Sequence, residues 1–193
     1  MKNILCFIDV ETTGLNSTMH EIIEIALIRE SADGIHRFST KIKPQHIEIA
    51  SGRALEINGY NDAEWEDAPY AHEVAAEIAS IIEDCTLVGH NVQFDADFLE
   101  EMLYRCEQPY KPKRRKVDTI TLAHEHLHCW PTHSLSSLRM FFGYSTIGEH
   151  RARKDCEDMR DIYYLLLRAS CWSRWYWQMR ASYITYMWRK GKL

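Results

Sequence analysis

Hydrophobic residues change their spacing about one third of the way along the chain. The first part contains three short runs with the β-branched composition or the alternation of β-strands, over residues 4–10, 21–29 and 37–43. Asp33-Gly34 separates the second run from the third and is a common hairpin turn sequence. Three strands with such short links predict that the sheet begins as an antiparallel unit.

After residue 70 the apolar residues recur at helical spacing, and short strand segments lie between the helical ones. Val74, Ile78 and Ile81 predict a helix over residues 70–83. Strands first and an alternation of strands and helices afterwards predict a mixed sheet flanked by helices. The remaining predicted elements are strands over 86–89 and 117–120 and helices over 94–105, 122–128, 135–142 and 155–169.

The length and composition of the chain fit one globular unit. Its 193 residues can bury a core, and 46% hydrophobic and 26% charged residues are ordinary values. No apolar run approaches the about 18 residues that span a bilayer, and the first run is too short for a signal peptide. The six cysteines form no C-x-x-C pair, which is typical of reduced thiols. We therefore expect a cytoplasmic protein without a membrane partner.

The net charge of the chain is −5, and the charged residues are distributed unevenly along it. Residues 111–116 hold five of the 23 basic residues, and residues 171–193 hold another five and no acidic residue. The rest of the chain carries 13 basic against 28 acidic side chains. Such a distribution is unusual for a passive nucleic-acid coat. It suits an enzyme that uses carboxylates for metal ions and binds phosphates locally.

Acidic residues stand at the ends of several predicted elements. Asp9 and Glu11 are two apart on a strand, so they share a face and repel each other unless a cation lies between them. Asp95 lies in the first turn of a helix, where a carboxylate can also simply favour the helix dipole. His150 precedes Asp155, the start of the last predicted helix, by five residues. Each feature alone is also common on protein surfaces, but an α/β sheet would bring these element ends together.

The chemistry of this set points to metal-assisted phosphoryl transfer. Oxygen ligands suit Mg²⁺ or Mn²⁺ better than zinc. Two such ions roughly 3.5–4 Å apart can activate a water and stabilise the leaving oxygen of a phosphodiester. A histidine, with an ordinary pKa of ~6.5, can accept the proton of that water near neutral pH.

Three segments of the chain resemble the sequence motifs of a known family. They are residues 7–15 (FIDVETTGL), 89–95 (GHNVQFD) and 150–155 (HRARKD). They resemble the motifs of the DEDDh (DnaQ-like) 3′–5′ exonucleases, the group that includes the proofreading epsilon subunit of bacterial DNA polymerase III. The resemblance covers about residues 3–168. It implies an α/β, ribonuclease-H-like fold, in which a mixed five-stranded sheet with three antiparallel first strands carries helices on both faces.

The resemblance also implies roles for particular residues. Asp9, Glu11, Asp95 and Asp155 would be catalytic ligands of two Mg²⁺ or Mn²⁺ ions, and His150 would be the general base. Many relatives have His-Gly after the third strand where this chain has Asn58-Gly59, which leaves the contacts of the terminal base open. The implied substrate-binding residues are Thr12, Leu15 as a wedge beside the last base, Asn58, Asn91 and Phe94.

The implied activity is hydrolysis of single-stranded nucleic acid from its 3′ end, with release of nucleoside 5′-monophosphates. DNA is the first choice of substrate, and RNA remains open because the family uses the same site for both. Two alternatives are a proofreading subunit held to a DNA polymerase and an exoribonuclease that trims RNA 3′ ends.

Two basic segments outside the motifs have several interpretations. Lys113, Arg114 and Arg115 lie in a loop that is either simply solvated or a contact for nucleic-acid phosphates. Residues 171–193 form a separate extension, predicted to be helical, after an exonuclease domain of residues 1–170. This extension contains four of the six tryptophans. It could dock on the domain, on a second copy of the chain or on a polymerase, stack on bases, or touch a membrane surface.

Overall fold

A computed structural model describes residues 4–109, 115–127, 130–145 and 150–168, together with residues 179 and 182–184. Its centre is a five-stranded sheet with the strand order β3-β2-β1-β4-β5. β1, β2 and β3 pair antiparallel, whereas β4 and β5 run parallel to β1. The predicted mixed sheet with an antiparallel start is therefore confirmed. The strands are β1 (Leu5–Thr12), β2 (Ile22–Ser31), β3 (Gly34–Lys41), β4 (Thr86–Gly89) and β5 (Lys116–Asp118).

Four of the predicted helical segments and the closing helix form within a few residues of their expected bounds. Two short helices and a 3₁₀ turn at residues 47–49 were not predicted. Between them, the two short helices bury only the side chain of Trp65, so they leave no apolar stripe in the sequence. The helices are α1 (Gly52–Ile57), α2 (Asp62–Trp65), α3 (Ala71–Ile81), α4 (Val92–Arg105), α5 (Thr119–His126), α6 (Leu135–Phe142) and α7 (Ala152–Leu167).

Alternate residues of β1 enter cores on opposite faces of the sheet. Cys6, Ile8 and Val10 pack in an apolar cluster with residues of α3 and α4. Phe7 packs in a second cluster with residues of α7. The predicted helices on both faces are thus confirmed. Because side chains alternate along a strand, Asp9 shares the α7 face with Phe7.

The short strand β4 leaves one edge of β1 open for other groups. β1 pairs with β4 only through Leu5–Phe7, whereas it pairs with β2 along its whole length. The chain turns from β4 directly into α4, and a Cβ on Gly89 would come within 3.0 Å of Val92. The tight turn therefore brings the first turn of α4 beside the carboxyl end of β1.

The C-terminal extension lies mostly outside the described residues, and so does the helix predicted over its length. Residues 182–184 are helical, and Ile184 packs against an apolar cluster formed by α5, α6 and α7. The four cysteines in the described ranges, Cys6, Cys85, Cys106 and Cys156, are free thiols. Among the described helices, none combines the length and the apolar character that a membrane span requires.

Candidate active site

Three of the predicted acidic residues meet at the open edge of β1. The Asp95 Oδ1 atom accepts a hydrogen bond of 3.1 Å from the backbone N–H of Val10. Val10 lies between Asp9 and Glu11, so the carboxylate of Asp95 lies close to both. This contact takes the position that a longer β4 would have filled with backbone hydrogen bonds.

The first turn of α7 adds the fourth carboxylate, and the histidine lies just before this helix. The backbone N–H of His150 donates to Asp155 Oδ2 over 3.3 Å, and His150 has a left-handed backbone with φ of 60°. One ligand atom from each of Glu11, His150 and Asp155 lies within 4.8 Å of the other two. Glu11 is far from the other two residues in the chain, and the three together form a group that can hold a metal ion.

Arg139 is a part of this site that the sequence analysis missed. Its side chain is only 1% exposed, and it donates to Asp155 Oδ1 over 2.7 Å and to Asp158 Oδ2 over 2.6 Å. A buried guanidinium is costly without such partners, so these contacts hold Asp155 in place. The sequence contained only a weak sign that Arg139 is buried: it lies four residues after Leu135, on the apolar face of α6.

The crowding of carboxylates raises several pKa values. Burial, followed by repulsion from Asp95, raises the pKa of Asp9 well above its usual value. Burial and the nearby Asp155 raise the pKa of Glu11 to about 8, and burial raises the pKa of Asp95 to about 8. A divalent cation among these oxygens would remove the repulsion, and hard oxygen donors fit Mg²⁺ or Mn²⁺. The residues present therefore fit a divalent metal site.

We expect the metal-free protein to lose stability as the pH rises from about 4 to about 8. Glu11 and Asp95 have raised pKa values in the folded state, so the folded protein binds more protons than the unfolded chain across this range. The free energy of unfolding should then fall by about a few kcal/mol. Thermal unfolding, followed at several pH values in EDTA, measures the fall.

Addition of Mg²⁺ or Mn²⁺ should reduce this fall, because a cation stabilises the ionised carboxylates of the folded state. The comparison at each pH cancels the contribution of titrating groups outside the site. Equal pH slopes with and without metal would show that these carboxylates bind no divalent cation.

The predicted substrate-binding residues around β1 divide into buried and exposed ones. Thr12 is buried and its Oγ1 donates to Gly14 O over 2.6 Å. The Asn58 side chain is also buried and donates from Nδ2 to Thr12 O over 2.8 Å. Leu15, by contrast, is 86% exposed. Thr12 and Asn58 thus stabilise the loop that presents Leu15 to solvent.

The two predicted binding residues of α4 lie at its start. Asn91 is exposed, has a left-handed backbone with φ of 70°, and donates its backbone N–H to Asp118 over 3.2 Å. Phe94 is half-buried, and its ring centroid lies 4.8 Å from that of Phe98. Asp118 also caps α5 through Ile120 N, so this acidic residue fixes the positions of both helices.

The predicted basic patch is described only in part. Lys113 and Arg114 lie outside the described residues. Arg115 is exposed, and its backbone carbonyl accepts a hydrogen bond of 2.9 Å from Leu87 N, beside the start of β5.

A protein-family model described as Exonuclease (RNase_T) matches residues 6–163 of the chain. The PolC-type DNA polymerase III of Bacillus subtilis (strain 168) is 31% identical over 164 residues, which are 83% of this chain and 11% of that protein. The 3′-5′ exonuclease DinG of Staphylococcus aureus (strain USA300) is 30% identical over 155 residues, or 77% of this chain and 16% of that protein. The chain thus spans less than a fifth of the length of these relatives.

Solved structures of E. coli Exonuclease I have a similar fold. The complex with a dA16 oligonucleotide superposes with a TM-score of 0.73 at 20% identity, and the match covers 87% of this chain and 41% of that one. The apo form gives 0.72 at 19% identity, over 90% and 44% of the two chains. At this identity the similarity concerns the fold, and it confirms the predicted ribonuclease-H-like architecture.

Proposed function

The chain belongs to the RNase_T exonuclease family, and from this premise we propose that it removes nucleotides one at a time from the 3′ end of single-stranded nucleic acid. The proposed products are nucleoside 5′-monophosphates, with DNA preferred to RNA. One observation carries the proposal: carboxylates from β1, α4 and α7 converge beside His150.

The proposed cofactors are two Mg²⁺ or Mn²⁺ ions. Bound ions supply Lewis-acid stabilisation for the charge that develops on the phosphate during hydrolysis. Arg139 keeps the carboxylate of Asp155 oriented through its hydrogen bond to Oδ1. The residues that would hold the ions are Asp9, Glu11, Asp95 and Asp155.

His150 is placed to act as the general base. Its side chain is exposed, so a water and a phosphodiester can reach it, and its ring lies near Glu11 and Asp155. We propose that its imidazole takes a proton from the attacking water, and that the neighbouring carboxylates stabilise the imidazolium. Leu15 and Asn91, both exposed, would contact the terminal nucleotide, with Phe94 beside them.

The proposed preference for single-stranded DNA is supported by what proteins of similar fold and sequence bind or cleave. The Exonuclease I structures with a similar fold hold dA16 and dT13 oligonucleotides, and one relative is a 3′-5′ exonuclease. Another relative is a polymerase, which favours proofreading as a second candidate role. A polymerase or a second copy of this chain would then bind through residues 171–193.

Labelled oligonucleotides test the proposed activity. DNA and RNA single strands with a 5′ label should shorten stepwise in Mg²⁺, and a 3′ label should appear at once as a mononucleotide. EDTA should stop both reactions. Internal fragments without a ladder, or release of the 5′ label first, would contradict a 3′–5′ exonuclease.

A further inference from the structure

The sheet face that carries the acidic site continues across β2 to the edge strand β3. Residues directly opposite each other on paired strands share a face, and the register places Glu11 opposite Glu24, which is itself opposite Lys41. Neighbouring strands are about 4.8 Å apart, so the backbone of Lys41 lies about 10 Å from the backbone of Glu11. Arg37, four residues earlier on β3, projects from the same face as Lys41.

Two adjoining cavities lie on this face, between β3 and the first turns of α7. Their volumes are about 740 Å³ and about 200 Å³. Ser39, Arg153 and Glu157 line both, so the cavities form one groove. Glu24 lies at the end of the groove nearest the acidic site, because it pairs with Glu11. The groove therefore leads from the acidic site to the edge of the sheet.

The groove is basic in a chain that is acidic overall. Its acidic side chains are Glu24, Glu157 and Asp158, and two of them point inward: Glu24 is 7% exposed, and Asp158 binds the buried Arg139. Five basic side chains outnumber these three acidic ones, although the net charge of the chain is −5. The basic side chains of the groove are Arg37, Lys41, Arg151, Arg153 and Lys154.

Arg37 and Arg153 are the basic side chains of the groove that are most available to a phosphate. The other three form ion pairs: Lys41 with Glu64, Arg151 with Glu24, and Lys154 with Asp158. Arg153 and Glu157 have side chains that are 73% and 46% exposed, and they lie 3.5 Å apart. Exposed pairs of this kind contribute about 0–1 kcal/mol. Arg37 is exposed and has no ion pair with any residue in the described ranges.

We propose that this basic groove binds the backbone phosphates of a single-stranded nucleic acid upstream of its 3′ end. The inference rests on the proposed function and adds a path for the rest of the strand. Phosphates bound along β3 and the start of α7 would keep the 3′ end at the carboxylates, because the groove opens beside Glu11. Contacts with backbone phosphates carry no information about the bases, so the groove would accept any base sequence.

Replacement of Arg37 and Arg153 by Gln tests the groove against a matched control, Arg168→Gln. Arg153 and Arg168 lie at opposite ends of α7, and Arg168 is exposed and outside the groove. Each groove variant should weaken binding of an oligothymidylate of a dozen nucleotides several-fold. The binding constant of each variant should also depend less steeply on salt: the negative slope of log K against log salt concentration should become shallower by about 0.7. In the double variant the slope should become shallower by about 1.4, and Arg168→Gln should leave the slope unchanged.

Fluorescence anisotropy in EDTA measures this binding without degradation of the oligonucleotide. In Mg²⁺, KM for the oligonucleotide should rise with kcat nearly constant. Hydrolysis of the dinucleotide TpT should be unaffected in both groove variants, because its one phosphate occupies the acidic site.

The outcomes separate the groove from the proposed function. A wild-type protein that degrades nothing but binds with the expected slope would reject the exonuclease activity and support the groove. Groove variants that match Arg168→Gln in affinity and slope would overturn the groove. The groove proposal is also overturned if the groove variants lose equal activity on the dinucleotide and on the oligonucleotide. Equal losses would indicate damage to the acidic site.

Discussion

The Asp9→Asn variant should degrade single-stranded DNA at least about 10³-fold more slowly than the wild-type protein. Asp9 lies on β1 within the group of four carboxylates, and burial together with three neighbouring acids raises its pKa. Asparagine keeps the shape of the side chain but cannot carry the negative charge that attracts a divalent ion. Loss of one of the proposed ions would remove several kcal/mol of transition-state stabilisation, which corresponds to the expected fold-change.

The same substitution should have the opposite effect on the stability of the metal-free protein. It removes one charge from a group of mutually repelling carboxylates, so the unfolding temperature in EDTA should rise at neutral pH. The measurements are kcat with DNA, Mn²⁺ affinity by calorimetry, and thermal unfolding in EDTA. A variant that lost activity because it was misfolded would instead show a lower unfolding temperature.

Asp97→Asn is the matched control for this experiment. Asp97 is exposed on α4, two residues from Asp95, and accepts a hydrogen bond from the Gln93 side chain. Its replacement should leave kcat and metal affinity unchanged. Full activity of the Asp9→Asn variant would show that Asp9 does not have the proposed catalytic role.

The His150→Gln variant should lose about 10²–10⁴-fold in kcat, the usual contribution of a general base. His150 lies at the mouth of the site, with its backbone held by Asp155 and its side chain exposed. Glutamine can form hydrogen bonds but cannot accept the proton from water at neutral pH. Metal affinity should stay close to that of the wild-type protein, because the four carboxylates remain.

Two further measurements define the role of His150. In His150→Gly, added imidazole should restore part of the activity, since the exposed position leaves room for a small base. The control His36→Gln changes an exposed histidine of β3 and should have no effect. The ring of His150 is also near enough to Glu11 and Asp155 to be a ligand itself. A large loss of metal affinity in His150→Gln would therefore contradict the general-base role.

The sequence alone predicted the elements with strong periodicity and the main acidic residues. β1 was recognisable from its apolar run, and the spacing of Asp9 and Glu11 placed both on one face of it. The hairpin of β2 and β3 followed from Asp33-Gly34, and the paired register ends at Ser31 and Gly34. These features depend on neighbouring residues, so local patterns were sufficient to predict them.

Elements that bury little apolar surface escaped prediction. α1 and α2 are short and are capped by Ser51 and Asn61 through side-chain hydrogen bonds. Their position depends on contacts with the loop after β1, such as the hydrogen bond of 2.7 Å from Ser51 N to Thr13 O. A helix with few buried side chains has no periodicity that could reveal it.

The chain sequence by itself pointed to the residues that we propose for the chemistry and to the elements on which they lie. Only the tertiary structure decided how they meet: the short β4 opens the edge of β1 to Asp95, and packing of α6 on α7 buries Arg139 against Asp155. The basic groove also exists only because register aligns rows of side chains across three strands. Local patterns repeat every two to four residues, whereas Val10 and Asp95 are separated by 85. Contacts at that separation depend on how the elements pack, which periodicity does not encode.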